Sequence, residues 1–204
     1  MKLTTVILLG AACAVLGFGQ AKQTQARQEA GGRTEGIKVH GHWVLEIKNP
    51  DGSVASRKEF ENSLATGTGN GAALLAQLLG GGATVGPWLV VIFSGPGAPF
   101  LSVAQTASGC LFSASGPCSN SLNVSSPAGQ LILQGATPPA TAAGPITSVT
   151  TSVVTCAAST SPQSCLTLSA SSATQGAFLT AATVTGISVQ VGQAITVTVT
   201  ISFS

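Results

Sequence analysis

From Val39 to Ile47 the chain alternates with a period of two. Val39, Gly41, Trp43, Leu45 and Ile47 share one face, and His40, His42, Glu46 and Lys48 share the other. That is the pattern of a half-buried strand, starting near Ile37. Asn49-Pro50-Asp51-Gly52 predicts a turn, because Pro presets its second position and Gly accepts positive φ. Val54 to Phe60 predicts the returning strand of a hairpin, carrying Arg57, Lys58 and Glu59, with Glu61 just beyond. A single short helix is predicted over 70–79. Asn70 caps it, Ala72 to Leu79 are good helix formers, and Gly80 to Gly82 stop it. The apolar run Trp88 to Phe93 between glycine–proline signals predicts a buried strand.

Shorter β-prone runs follow at Leu122 to Val124, Gln130 to Gln134, Ile146 to Thr155, Leu166 to Leu168 and Phe178 to Val184. The end of the chain predicts a second hairpin. Ile187, Val189 and Val191 lead to a turn at Gly192-Gln193, and Ile195, Val197, Val199, Ile201 and Phe203 return. Thr196, Thr198, Thr200 and Ser202 stand between the returning apolar residues, so one face is apolar and the other hydroxyl. Many short strands with one helix near 70–79 predict an all-β chain, an antiparallel β-sandwich of jelly-roll or Ig-like type. A membrane barrel would want aromatic girdles, and this chain has no Tyr.

The N-terminus changes the compartment. Lys2 precedes an apolar core from Leu3 to Phe18, and Gly19-Gln20-Ala21 offers small residues at a cleavage site, so residues 1–21 are expected to be a signal peptide. The run is short of the roughly 20 apolar residues of a membrane span. Gly10-Ala11-Ala12-Cys13 offers a lipoprotein reading, in which the apolar core would run on past the modified cysteine. Lys22 to Gly36 contain no Val, Ile, Leu, Phe, Trp or Met, so 22–36 is expected to be a flexible arm and cannot serve as a donor strand. Residues 37–204 are then one β-sandwich domain, secreted or at the cell surface, with no membrane span in the mature chain.

Removing the leader leaves Cys110, Cys118, Cys156 and Cys165. An even count after an export signal favours disulfides. Of the three connectivities, Cys110–Cys118 and Cys156–Cys165 are expected, because each pair brackets a short Ser/Pro/Gly loop able to fold back as a hairpin. No Cys-x-x-Cys occurs and no His lies near these cysteines, which disfavours zinc.

Charge usage is only 7%, against roughly 25% for an ordinary soluble domain. From Asn62 to Ser204 there is no Asp, Glu, Lys, Arg or His. General acid–base catalysis, hard-metal binding and phosphate recognition all need the groups this stretch lacks. With a net charge of +2 and no basic cluster, nucleic acid is not an expected partner. An uncharged surface weakens repulsion between copies, so a homo-oligomer or another surface protein is the expected partner.

The remaining candidates are few. His40 and His42 place two imidazoles about 7 Å apart on one strand face, but no third ligand has a fixed spacing, so neither a metal nor another cofactor is expected. Gly-x-Ser-x-Gly does not occur and the acids are confined to the arm and hairpin, so no catalytic residue is assigned. Trp43 and Trp88 are candidate ligand contacts able to stack on a sugar, weighed against core packing on apolar strand faces. Asn123-Val124-Ser125 matches the N-glycosylation acceptor pattern. Thr196, Thr198 and Thr200 mark a candidate assembly strand, although β propensity alone also explains the row.

Glu61-Asn62-Ser63-Leu64-Ala65-Thr66-Gly67, the Leu-rich helix, and Trp88 to Phe93 followed by a Gly-Pro-Gly loop together resemble tail-fibre and tail-appendage modules of phages and prophages. Val189 to Phe203 is similar to the final hairpin of those modules. The resemblance covers about a third of the chain and implies a non-catalytic structural or adhesive role, with host or glycan recognition as the alternative. The signal peptide and paired cysteines depart from an ordinary virion protein, which leaves a cell-derived surface module as the competing reading.

Overall fold

The computed structural model describes residues 38–66, 71–95, 99–113, 116–167 and 174–204. The expected leader at 1–21 and arm at 22–36 lie outside the described residues. Ten strands form one large curled sheet: β1 (Val39–Lys48), β2 (Val54–Leu64), β3 (Ala83–Phe93), β4 (Pro99–Ala104), β5 (Cys118–Ser119), β6 (Asn123–Ser125), β7 (Gln130–Ala136), β9 (Ser148–Ala157), β10 (Thr174–Thr183) and β12 (Ala194–Phe203). Two short strands, β8 (Gly144–Pro145) and β11 (Ser188–Val189), pair separately. Three short helices, α1 (Gly71–Leu79), α2 (Ala107–Cys110) and α3 (Pro162–Thr167), complete the described elements.

The strand order is β5-β4-β3-β9-β10-β2-β1-β12-β7-β6, antiparallel except for β4 with β5. The two terminal strands, β5 and β6, are almost adjacent in sequence, and the residues joining them bring the ends of the sheet together. Leu122 N donates to Ala104 O of β4 at 3.0 Å, while Ser121 Oγ donates to Ala136 O of β7 at 2.9 Å. The curl gives every long strand a common inner face. Trp43, Leu45 and Ile47 meet Ile195, Val197, Val199 and Ile201 there, with Val90, Ile92, Leu101, Val103, Leu133, Val149 and Val153 from the other strands. Each such side chain contributes about 1.5–3 kcal/mol on burial. A second, smaller cluster lies on the outer face of β3 and β9, where Leu89, Val91, Ala104 and Val154 pack under Phe112 and the Cys110–Cys118 pair. Strand β3 is therefore buried on both faces. That is why its sequence reads as a continuous apolar run while β1 and β12 alternate.

Several expectations change. The C-terminal segment does not close as a hairpin: β11 pairs with β8, and β12 lies between β1 and β7. The reason is complementarity. The β1/β12 register runs from Val39↔Phe203 to Lys48↔Ala194 and sets two alternating strands apolar to apolar along their whole length. One helix becomes three. The segment from Leu166, expected as a strand, instead belongs to the end of α3, where Ser161 Oγ accepts from Ser164 N at 3.2 Å and Pro162 takes the first helical position. Helix α2 is capped in the same way by Thr106, which accepts from Gly109 N at 3.1 Å. The helix expected over 70–79 is α1 (Gly71–Leu79); its expected cap, Asn70, lies outside the described residues, and the helix stops at the glycines that follow it. Gly81 has φ +66, and Gly82 N reaches back to Gln77 O at 2.9 Å, closing a Schellman motif.

Both disulfides pair as the spacing predicts, Cys110 with Cys118 and Cys156 with Cys165, with Cα atoms 5.7 and 5.9 Å apart. Their loops are helical turns rather than hairpins: Cys110 ends α2, and Cys165 sits on α3.

Candidate functional site

Strands β1 and β2 carry nearly every ionisable group among the described residues, and the first question is why the charges gather there. Strand β2 meets β10 only at Leu64 and Ser63 among the described residues, so most of its second edge has no strand partner. A long open edge invites pairing with another chain, and charged side chains protect it. Arg57, Lys58, Glu59 and Glu61 all lie on this strand. Lys58 also stands opposite Leu45, on the inward face and half-buried, where its charge would oppose an added strand. Strand β12, the expected assembly strand, has both edges occupied, so strand-edge association through it is not available. Its outward face remains open.

On the outward face, ordered rows cross the sheet. His42 lies between Glu61 and Thr200, with Ile132 beyond. Val44 lies between Glu59 and Thr198, with Gln134 and then Asn123 beyond. Glu46 lies between Arg57 and Thr196, with Ala136 beyond. His42 Nδ1 sits 2.8 Å from Glu61 Oε1, with side-chain exposures of 45% and 70%. Because a carboxylate only accepts, this bond puts the proton on Nδ1 and leaves Nε2 free. Arg57 bridges Glu46 at 2.9 Å and also grips Glu59. Pairs this exposed are screened by solvent and add little to stability.

The pKa shifts follow the contacts. Hydrogen bonds from Ser53 hold Asp51 below the usual carboxylate range, and the Arg57 guanidinium does the same for Glu59. The same contact with Glu59 raises Arg57. A carboxylate with a lowered folded pKa stabilises the fold above its unfolded value and loses that contribution as pH falls through the folded value. Stability should therefore be flat from about pH 5 to about pH 9 and decline slightly below about pH 4. Thermal unfolding by circular dichroism across that range checks this. A midpoint moving by tens of degrees between pH 5 and 9 would mean that a histidine is coupled to the fold.

The two tryptophans are core residues. Trp43 is fully buried, stacked on Phe60 with ring centroids 5.9 Å apart, and Trp88 is 8% exposed on the inner face of β3. Neither presents a ring face to a sugar, so the expectation of ligand stacking on them is corrected; alternation on apolar strand faces already favoured core packing. Trp43 also explains Asn62 and Gly41. With the Asn62 amide oriented to match its neighbours, its oxygen accepts from Trp43 Nε1 at 2.6 Å and Thr180 Oγ1 at 2.8 Å, and its nitrogen donates to Gly41 O. A Cβ at residue 41 would overlap that amide, which is why this strand position is glycine.

Asn123 is exposed on β6, opposite Gln134. A shallow apolar groove lined by Leu75, Leu79, Phe203 and Ser204 lies where α1 meets the end of β12. Among the described residues no three His, Cys, Asp or Glu side chains gather as a metal centre, and no helix is long and apolar enough to cross a membrane. The chain matches no family model, no curated protein and no solved structure.

Proposed function

We propose that this chain is a non-catalytic structural or adhesive protein of the extracytoplasmic space, self-associating or part of a surface appendage. The observation that carries the reading is the outward face of β12, β7 and β6. It presents Thr196, Thr198, Thr200, Ser202, Gln130, Gln134, Asn123 and Ser125 in register, with no charge among them. Such a face offers hydrogen bonds without the repulsion or desolvation cost that charges bring to a contact. The curled sheet then serves as a β-sandwich, one layer formed by β2-β1-β12-β7-β6 and the other by β10-β9-β3-β4-β5. Two disulfides fit an oxidising compartment. The surface ion pairs of the hairpin, His42 with Glu61 and Arg57 with Glu46 and Glu59, support a reading without acid–base catalysis. The likeness of Glu61 to Gly67 and of the C-terminal strand to tail-appendage modules points to the same class of protein.

Size-exclusion chromatography with light scattering on the mature, oxidised protein tests the proposal. The wild-type chain is expected to associate at high concentration, and Thr198→Lys to dissolve the oligomer while leaving the monomer folded. A wild-type chain that stays monomeric would sink the assembly reading and favour glycan or host recognition through the same hydroxyl and amide face. An oligomer that survives both Thr198→Lys and Thr196→Lys would place the contact on another surface.

A further inference from the structure

We infer that His40 and His42 on β1 form a surface chelate for a borderline transition-metal dication such as Zn2+, with Glu61 as the positioning residue for His42. Two imidazoles at alternate strand positions emerge on the same face about 7 Å apart, a separation that two inward-tilted rings close to the ~2.0–2.1 Å metal–nitrogen bonds of such an ion. Both histidines are exposed, so neither has to leave a packed environment to turn toward a common ion.

The spacing alone does not single out metal binding; the β1/β2 register adds what it lacks. Glu61 stands directly opposite His42 and accepts a hydrogen bond from Nδ1–H at 2.8 Å. That hydrogen bond fixes the tautomer in which Nε2 carries the lone pair, and it limits rotation of the ring. A carboxylate holding the far nitrogen of an imidazole is the usual outer partner of a metal-binding histidine, where it orients the ring and raises its basicity. Across the other edge of β1, Ser202 faces His40 and Thr200 faces His42. Their hydroxyls are placed to hydrogen-bond waters filling the remaining coordination positions. Imidazole donors favour Zn2+, Cu2+ and Ni2+ over Mg2+ and Ca2+, which prefer oxygen. The cysteines do not compete, because all four described thiols are held in disulfides.

Isothermal titration of Zn2+ into the oxidised, tag-free chain reads the site directly. One ion per chain is expected. His40→Ala and His42→Ala should each weaken binding by at least about tenfold, as expected when a chelate drops to one ligand. Glu61→Ala should weaken it by about tenfold, and Glu61→Gln, which keeps an acceptor for Nδ1–H, should recover part of the loss. In nitrogen-15 imidazole spectra, Zn2+ should shift His42 Nε2 while Nδ1 stays protonated. No saturable heat, or His40→Ala and His42→Ala binding like the wild type, would overturn the site. Equal binding of Mg2+ would show that carboxylates, not imidazoles, hold the ion. Histidine variants that lose binding beside an unaffected Glu61→Ala would overturn the role given to Glu61.

Discussion

Replacing Asn62 by leucine is expected to destabilise the protein by about 3 kcal/mol, because it strands the Trp43 indole N–H in the core without an acceptor. Trp43 is fully buried, and its Nε1 has no water to turn to. The Asn62 oxygen also receives Thr180 Oγ1, which is 2.7 Å from Thr151 Oγ1, and Thr151 Oγ1 in turn accepts from Thr180 N at 3.2 Å. The amide thus links β1, β2, β10 and β9 through one chain of hydrogen bonds, and breaking it costs at two donors. Gly41→Ala should destabilise by about 1–3 kcal/mol for a different reason: its methyl group drives into the amide that caps the indole. The two positions are therefore coupled. Once Asn62→Ala has emptied the space, Gly41→Ala should cost much less than it does alone. Urea unfolding followed by tryptophan fluorescence on the four proteins of the cycle measures this. Additive effects, within about 0.5 kcal/mol, would sink the account.

The first hairpin was legible in the sequence because everything that makes it is local: period-two strands and a Pro-Asp-Gly turn. Its register was not. Ile47 pairs with Ser56 while Lys48 pairs with Val54, so Ala55 is an extra residue in a bulge. Counting back from the turn without that bulge would set Trp43 against Glu59 and His42 against Phe60. With it, Trp43 meets Phe60 and His42 meets Glu61. The candidate metal site and the stacked aromatic pair both depend on this one-residue shift, which no alternation pattern announces. The histidine spacing was visible; the carboxylate that orients one of them was not.

The partner of β12 was hidden for a related reason. An alternating strand fits any apolar neighbour of similar length, and the nearest in sequence, Ile187 to Val191, was the natural choice. The structure instead joins β12 to β1, far away in the chain, where ten consecutive positions match. The two small helices, in contrast, had readable signals. Ser161-Pro162 is an N-cap followed by proline at the first helical position, and Thr106 caps the turn ending at Cys110. The cysteine pairing is the same for a hairpin and for a helical turn, because both bring near neighbours in sequence together.

Removing both disulfides is expected to have the largest effect of any change considered, a loss of about 5 kcal/mol, comparable to the whole stability of a modest domain. The pairs are separated by 8 and 9 residues, and closing loops of that size limits the unfolded chain by about 2.6 kcal/mol each. They are not equivalent in the folded state. Cys156 and Cys165 are almost fully buried, and Cys165 Sγ lies where any side chain on Gly86 would have to go. This pair ties α3 to the end of β9, and Cys156 lies opposite Thr84 of β3. Cys110 and Cys118 are partly exposed and tie α2 to the terminal strand β5. The Cys156→Ala/Cys165→Ala protein should therefore lose more than the loop-closure term, because it also leaves a gap against β3, whereas Cys110→Ala/Cys118→Ala should lose close to that term alone. Mild reductant should open the exposed bridge first. Urea unfolding of both double variants, with peptide mapping of partly reduced protein, checks the order and the sizes. A fully reduced protein that unfolds at the same midpoint as the oxidised one would show that the curled sheet stands without its bridges.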